Sequence, residues 1–185
     1  MAMTMDQLQD LVKGQNLKYF LHPEQPALML QAKGINGSYQ FIIALQQDGT
    51  FLQFKTLQYL YCKEDNPNLL EALKVMGALN YQIRLAKWGW DPRDGEIDVC
   101  ADTWIEDNAL TQEQFGRIAF NYLTAIDMNY SRLETTIETG TDPGEFNPLE
   151  MMKRIAEEAE KGAEEEEEKE KEEEKEEETP DFTKM

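Results

Sequence analysis

Apolar residues recur with two different periods along the first 140 residues, and the order of these periods leaves few folds open. Helices bury residues three and four apart, whereas half-buried strands bury every second residue. The order of the two periods here is α-β-β-β-α-β-β-α. Because short turns join the neighbouring strands, this order predicts an α+β domain in which helices flank an antiparallel sheet.

The three predicted helices have recognisable start signals. Thr4 and Gln7, and again Thr111 and Gln114, have the spacing of a capping box, in which each side chain satisfies a free backbone N–H. Pro67 follows an asparagine and favours the first position of a helix that continues through a stripe of leucines. We expect the last helix to reach about residue 132, because its apolar residues keep one face up to that point.

Five segments have the alternation that is typical of strands. They are residues 28–33, residues 38–46, residues 51–61, a segment that starts at Tyr81 and includes Trp90, and residues 96–102. Asn36 and Gly37 lie between the first two strands and favour a type I′ hairpin turn, because both residues tolerate a positive φ.

The net charge of −19 is unevenly distributed, and its distribution predicts the domain boundaries. Residues 151–185 contain 16 acidic and 7 basic residues, so they carry −9 of the total. We predict a compact domain over residues 1–140 and a linker with a short extra helix over residues 141–160. Residues 161–185 are mostly Glu and Lys, which predicts a disordered or solvated helical tail.

The acidic composition also excludes several classes of partner. A field of this sign repels phosphate groups, so we expect no direct binding of nucleic acid and no membrane insertion. Asp6, Asp10 and Lys13 interrupt the N-terminal segment, which therefore predicts neither a signal peptide nor a membrane span, and a cytoplasmic location is expected. Cys62 and Cys100 belong to no CxxC pair, so we expect no disulfide framework, no metal site and no cofactor.

Few residues are candidates for catalysis. His22 is the single histidine and lies in a predicted loop, where an exposed, non-catalytic histidine is the simpler interpretation. Glu96, Asp98 and Asp102 alternate on one face of the fifth strand, an arrangement that can serve acid–base chemistry or hold a divalent cation. Cross-strand pairing, for example of Arg84 with Asp102, is the simpler interpretation, and we predict no catalytic residue.

Trp88 and Trp90 are the candidate partner-binding residues. Both fall on the polar face of the predicted fourth strand, and large aromatic side chains outside the core face are enriched where partners bind. The alternative is that a helix or the C-terminal segment covers them.

Four stretches resemble YbjN-like domains, which share the fold of the class I type III secretion chaperones. They are residues 68–73 (NLLEAL), 79–89 (LNYQIRLAKWG), 94–97 (DGEI) and 110–115 (LTQEQF). The resemblance implies an interaction domain with no enzymatic activity, and the secretion chaperones hold extended client segments along the surface of a dimer. The Glu/Lys tail and the paired tryptophans depart from that pattern, so only the fold and the binding of a protein are carried over.

The residues and the resemblance together predict a chaperone-like module that binds a protein partner through a sheet face or edge, with a homodimer as one arrangement. A second hypothesis is that the acidic tail itself binds basic proteins. A hydrolase or metal-dependent enzyme comes third, because the sequence contains no phosphate-binding loop and no metal-ligand motif.

Overall fold

The computed structural model describes residues 2–105 and 110–145. Its helices and strands confirm the α+β class and the antiparallel sheet that the apolar periods predicted. In chain order they are α1 (Met5–Gly14), β1 (Tyr19–Leu21), β2 (Ala27–Lys33), β3 (Ser38–Gln46), β4 (Phe51–Leu57), β5 (Leu60–Tyr61), α2 (Leu69–Gln82), β6 (Lys87–Trp90), β7 (Glu96–Trp104) and α3 (Gln112–Thr139).

All paired strands in the sheet are antiparallel, and β7 is its branching strand. The strands follow the order β1-β2-β3-β4-β7, and β5 continues the line of β4 along the same side of β7. Cys100 of β7 is in register with Lys55 of β4 and with Lys87 of β6, so β6 lies on the opposite side of β7. The short strands β1 and β6 therefore form the two edges.

Aromatic rings join α3 to one face of the sheet. Tyr122 packs between Phe41 and Phe54, with ring centroids 5.9 Å and 5.3 Å away, and Phe54 also packs against Phe115 at 5.8 Å. The Tyr122 hydroxyl donates to the backbone oxygen of Val99 at 2.9 Å, which satisfies its polar group inside the core. Burial of each such side chain stabilises the fold by roughly 1.5–3 kcal/mol.

Both predicted capping boxes are present. The Thr4 and Thr111 hydroxyls accept hydrogen bonds from Gln7 and Gln114, whose side chains accept from the backbone N–H of the two threonines in return. Each cap contributes about 1 kcal/mol. Helix α3 continues beyond the predicted end because its residues stay buried, and it stops where Gly140 adopts φ 73°.

Several predicted boundaries are wrong, among them the start of α2, which begins at Leu69 and not at Pro67. No strand begins at Tyr81, because α2 continues to Gln82 and the strand covers only Lys87–Trp90. A few alternating residues do not distinguish a strand from the end of a helix. The predicted third strand breaks into β4 and β5 at Gln58, whose φ is 53°. The short strand β1 was not predicted.

The predicted type I′ turn is also wrong. Neither Asn36 nor Gly37 has a positive φ. The carboxylate of Asp127 in α3 accepts the backbone N–H groups of Ile35 and Asn36, each at 2.9 Å, and this contact replaces the local turn chemistry. The predicted boundary at residue 140 stays a prediction, and the predicted helix after residue 145 and the tail lie outside the described residues.

Candidate functional site: the uncovered sheet face

Within residues 2–105 and 110–145, the helices pack on one face of the sheet and leave the other face uncovered. The burial of β4 shows the difference, because Leu52, Phe54 and Thr56 are buried while Gln53 and Lys55 between them are only partly covered. We define the uncovered face as the row of side chains in register from Phe20 of β1 to Lys87 of β6, together with every second residue along the same strands.

One end of the uncovered face is apolar. Phe20, Met29 and Ile42 are neighbours in register on β1, β2 and β3, and the Phe20 side chain is 79% exposed. We call these three residues the apolar patch. Contiguous apolar side chains in contact with water are typical of interaction sites.

The centre of the uncovered face is polar, and its charged groups are paired. Lys55 lies 2.7 Å from Asp98. Gln53 donates to Asp102 at 2.9 Å, and the side chain of Glu96 accepts the backbone N–H of Gln58 at 2.9 Å. The carboxylates are thus spread along β7, each with its own partner. Among the described residues, no group of three potential ligands could hold a metal ion.

The predicted pair of Arg84 and Asp102 is wrong. Arg84 lies between α2 and β6 and belongs to no strand, so it has no cross-strand neighbour. In the register of the sheet, Asp102 lies opposite Gln53 of β4.

A pair of aromatic side chains lies where β4 begins and β7 ends. Phe51 and Trp104 are in register, their ring centroids are 5.0 Å apart, and the Trp104 side chain is 62% exposed. The predicted fifth strand ends at residue 102, two residues too early, and therefore does not include Trp104. Continuing the same alternation from Asp102 to Trp104 is the signal that would have found it.

The two tryptophans that the sequence did single out lie on the other face. Trp88 and Trp90 are in register with Val99 and Ile97, which belong to the core. The Trp88 side chain is only 3% exposed, and the half-buried Trp90 donates its indole N–H to the backbone oxygen of Cys62 at 2.7 Å. Their assignment to a polar face is therefore wrong. Partner binding by these residues stays a prediction, and it now concerns the exposed part of Trp90.

The two edges of the sheet differ in the state of their backbone groups. At β6, the side-chain amide of Asn80 accepts from the Trp88 N–H at 2.8 Å and donates to the Trp88 carbonyl at 2.9 Å, so this edge is blocked. At β1, the His22 N–H donates to Ala27, and because hydrogen-bonded and non-bonded pairs alternate, the backbone groups of Tyr19 and Leu21 point away from β2. Within the described residues, no strand pairs with this side of β1.

A cavity lies beside β6, and the charged side chains that line it are paired with other charged side chains. Its volume is 430 Å³, and its lining includes Trp90, Asp91, Arg93 and Asp98. Arg93 donates to Asp91 at 3.0 Å, and this hydrogen bond holds the pKa of the Asp91 carboxyl down to about 2. Asp98 is paired with Lys55. Because its pKa is low, the Asp91 carboxyl is ionised near neutral pH and cannot deliver a proton there.

The remaining nucleophile candidates are weak. Burial, and then the charge of Asp98, raises the pKa of the Cys100 thiol to about 12, and burial raises the pKa of Cys62 as well. Both thiols are therefore protonated near neutral pH, where the thiolate is the reactive form. His22 lies half-buried in the loop between β1 and β2, where its Nδ1 accepts the N–H of Glu24 at 3.2 Å. None of the described helices is both long and apolar enough to cross a membrane.

A family model matches residues 4–135, and its name is YbjN, "putative bacterial sensory transduction regulator". The chain belongs to the YbjN family. The resemblance noted in the sequence is thereby confirmed. The crystal structure of E. coli YbjN, "a putative transcription regulator", has a TM-score of 0.56 and 17% identity to this YbjN-family chain, covering 75% of it and 94% of the E. coli chain. This similarity shows a shared fold.

Two solved complexes of other proteins are also similar to this YbjN-family chain. The HopA1–SchA chaperone–effector complex matches with a TM-score of 0.43 and 15% identity, over 65% of this chain and 88% of the other. The heterodimeric ExoU–SpcU complex from the type III secretion system of Pseudomonas aeruginosa matches with a TM-score of 0.46 and 14% identity, over 70% and 96%. No curated protein matches the sequence.

Proposed function

We propose that this YbjN-family chain is a non-enzymatic, chaperone-like interaction module that holds a segment of a protein partner on its uncovered sheet face. The observation that carries the proposal is the apolar patch of Phe20, Met29 and Ile42, which lies directly beside the open edge of β1. Soluble domains seldom leave such side chains in water next to unpaired backbone groups unless a partner covers them.

An extended segment that pairs with β1 would use both features at once. The outward backbone groups of Tyr19 and Leu21 would bond to the backbone of the segment, which gives affinity without regard to sequence. Every second side chain of the segment would then lie on the uncovered face, on the side of Phe20. Specificity would come from the fit of those side chains to the apolar patch.

The charge of the chain favours a protein over a nucleic acid as the partner. With a net charge of −19, the chain repels a phosphate backbone at long range. A regulatory role of the kind named for E. coli YbjN would therefore operate here through protein contacts. The cytoplasmic location and the homodimer expected from the sequence stay predictions.

A pair of phenylalanine variants tests the uncovered face. Phe20 is 79% exposed on this face, and Phe120 is 70% exposed on α3 in the helical layer. We expect full-length Phe20→Glu to lose the proteins that the wild-type chain captures from a lysate of the source cells, because a carboxylate replaces the apolar contact. Phe120→Glu should retain them. Mass spectrometry of the bound proteins and thermal unfolding of both variants give the readout.

Two results would contradict the proposal. The first is full retention of every captured protein by Phe20→Glu, and the second is equal loss by Phe120→Glu while both variants stay folded. Either result would move the binding surface away from β1.

The acidic tail supplies a second candidate function, because residues 151–185 carry 16 acidic and 7 basic residues. Capture by the uncovered face should survive deletion of residues 161–185, and its apolar part should persist in high salt. Binding of basic proteins by the tail should disappear in both cases, since salt screens exposed charges over distances of about 10 Å or more. Loss of all partners on deletion would favour the tail.

A further inference from the structure

The structure points to a second, more specific site on the uncovered face. We propose that Phe51, Trp104 and Asp102 form a receptor for one cationic side chain, arginine or lysine, of the protein partner. The inference rests on the proposed function, since the cation belongs to the segment that this face would hold. It adds the chemistry of that segment and a position for its charge.

The aromatic half of the site is an edge-to-face pair. The ring planes of Phe51 and Trp104 meet at 62°, and the centroids are 5.0 Å apart. Phe51 is half-buried against the sheet, while the Trp104 side chain is 62% exposed, so much of the indole surface faces solvent. Indole has the strongest attraction for cations among aromatic side chains, and it acts within about 6 Å of the ring centre.

The acidic half of the site is a carboxylate that is held in place. Asp102 precedes Trp104 by two residues on the same strand, so both side chains lie on the uncovered face, about 7 Å apart along the strand. Gln46 donates to Gln53 at 3.3 Å, and Gln53 donates to Oδ1 of Asp102 at 2.9 Å. Among the described residues, this relay engages only one oxygen of Asp102 and leaves Oδ2 for a ligand.

The size of the site matches an arginine. The planar guanidinium can stack on an aromatic ring while its N–H groups bond to a carboxylate, and the long side chain spans the distance between the two. The ammonium group of a lysine, which acts as a point charge, can also lie over the aromatic ring and pair with the carboxylate.

The charges around the site favour a cation from outside the chain. Lys55, the lysine of β4, already pairs with Asp98 at 2.7 Å. The whole chain carries −19, which attracts a basic segment before contact is made. An acidic segment would be repelled by Asp102, and a neutral segment would lack the charge attraction. The apolar patch lies on the same face as this site. Ile42 of the patch and Gln46, which donates to Gln53, are four residues, about 13 Å, apart along β3.

The test uses the full-length chain, ¹⁵N-labelled, and follows its three tryptophan indole N–H signals by NMR. Loss of one signal in Trp104→Phe assigns Trp104. The probe is Nα-acetyl-arginine amide, and the matched control is Nα-acetyl-citrulline amide, which has nearly the same shape without the charge. We expect a saturable shift of the Trp104 signal with the arginine probe only, while the buried Trp88 signal stays in place.

Variants identify the two halves of the site. Asp102→Asn should weaken the arginine probe at least threefold, whereas Asp10→Asn on α1, another exposed aspartate, should leave its affinity unchanged. Trp104→Leu keeps the carboxylate, and in this variant the probe should lose at least threefold in affinity when followed at the Asp102 amide. Dispersed amide spectra establish that each variant is folded.

The proposal fails if the Trp104 signal does not shift, if citrulline shifts it as strongly as arginine, or if Asp102→Asn binds the probe as well as the wild type does. Because no partner is present in the titration, these outcomes are independent of the capture experiment with Phe20→Glu. Loss of capture in Phe20→Glu with no shift at Trp104 would leave the uncovered face in place and remove only the cation site.

Discussion

The hydroxyl of Tyr39 donates a 2.8 Å hydrogen bond to Oδ1 of Asp127, which ties β3 to the middle of α3. The same carboxylate accepts the N–H groups of Ile35 and Asn36, so one side chain of α3 shapes the whole β2–β3 turn. Asp127 is only 7% exposed, and water therefore cannot replace it. Burial, and then the hydrogen bond to Asp127, raises the pKa of Tyr39 well above its usual range.

Replacing this carboxylate should destabilise the domain. Asp127→Ala leaves three donors without a partner, and we expect the free energy of unfolding to fall by about 3 kcal/mol or more. Urea denaturation followed by circular dichroism measures the change. Glu138→Ala, at an exposed position of the same helix, is the control and should change stability by less than about 0.5 kcal/mol. Similar values for both variants would contradict the role of Asp127.

Two glycine-to-alanine substitutions should change the stability of the domain in opposite directions. A Cβ at Gly77 of α2 meets no atom within 4 Å, so Gly77→Ala should stabilise the domain by up to about 1 kcal/mol through helix propensity. A Cβ at Gly140, where φ is 73°, would lie 2.5 Å from the side-chain oxygen of Asn68. We expect Gly140→Ala to lower the urea midpoint. A gain in stability from Gly140→Ala would refute the left-handed cap of α3.

Removal of the Asn80 side chain should open the β6 edge. Asn80→Ala removes both hydrogen bonds to the backbone of Trp88, and we expect a loss of about 1–2 kcal/mol and faster hydrogen exchange at the Trp88 amide. Hydrogen-exchange NMR reads this amide directly. Asn121→Ala, at an exposed position of α3, should leave the exchange of Trp88 unchanged. An unaltered Trp88 rate in Asn80→Ala would show that the amide does not protect this edge.

Stability should decline at alkaline pH. Burial raises the folded-state pKa of Cys100 to about 12 and that of Tyr122 well above its usual value. A group whose pKa is higher in the folded state stabilises the fold fully below its unfolded pKa, which is about 9 for cysteine and 10 for tyrosine, and loses this contribution as the pH rises further. Urea midpoints should therefore hold between pH 6 and about 8.5 and fall from there towards pH 11.

Substitution at Cys100 separates its share of this decline. Cys100→Ala should make the decline between about pH 8.5 and pH 10 shallower, and what remains there comes from Cys62, whose pKa burial also raises, before the tyrosines ionise in the unfolded chain. An increase in stability from pH 9 to pH 11 in the wild type would contradict the sign of these shifts.

The sequence located the helices and the alternation of the long strands, because these signals come from residues within four positions of each other. The capping boxes at Thr4 and Thr111 formed as predicted. Only part of the uncovered face could be predicted from the sequence, since alternation alone does not show which side of a strand the helices cover. Trp88 and Trp90 were placed on the wrong face because the alternation at residues 82–85 belongs to the end of α2 and the following loop, and Trp104 was missed.

The order of the three helices and the long strands, the family and the acidic tail composition follow from the sequence by itself. The tertiary structure alone decided the shape of the β2–β3 turn and the face on which each tryptophan lies. The physical reason is range: Asp127 reaches Asn36 across 91 residues, and Trp104 meets Phe51 only when β7 pairs with β4. Such tertiary contacts outweigh local helix, strand and turn preferences of about 1 kcal/mol once the core has formed.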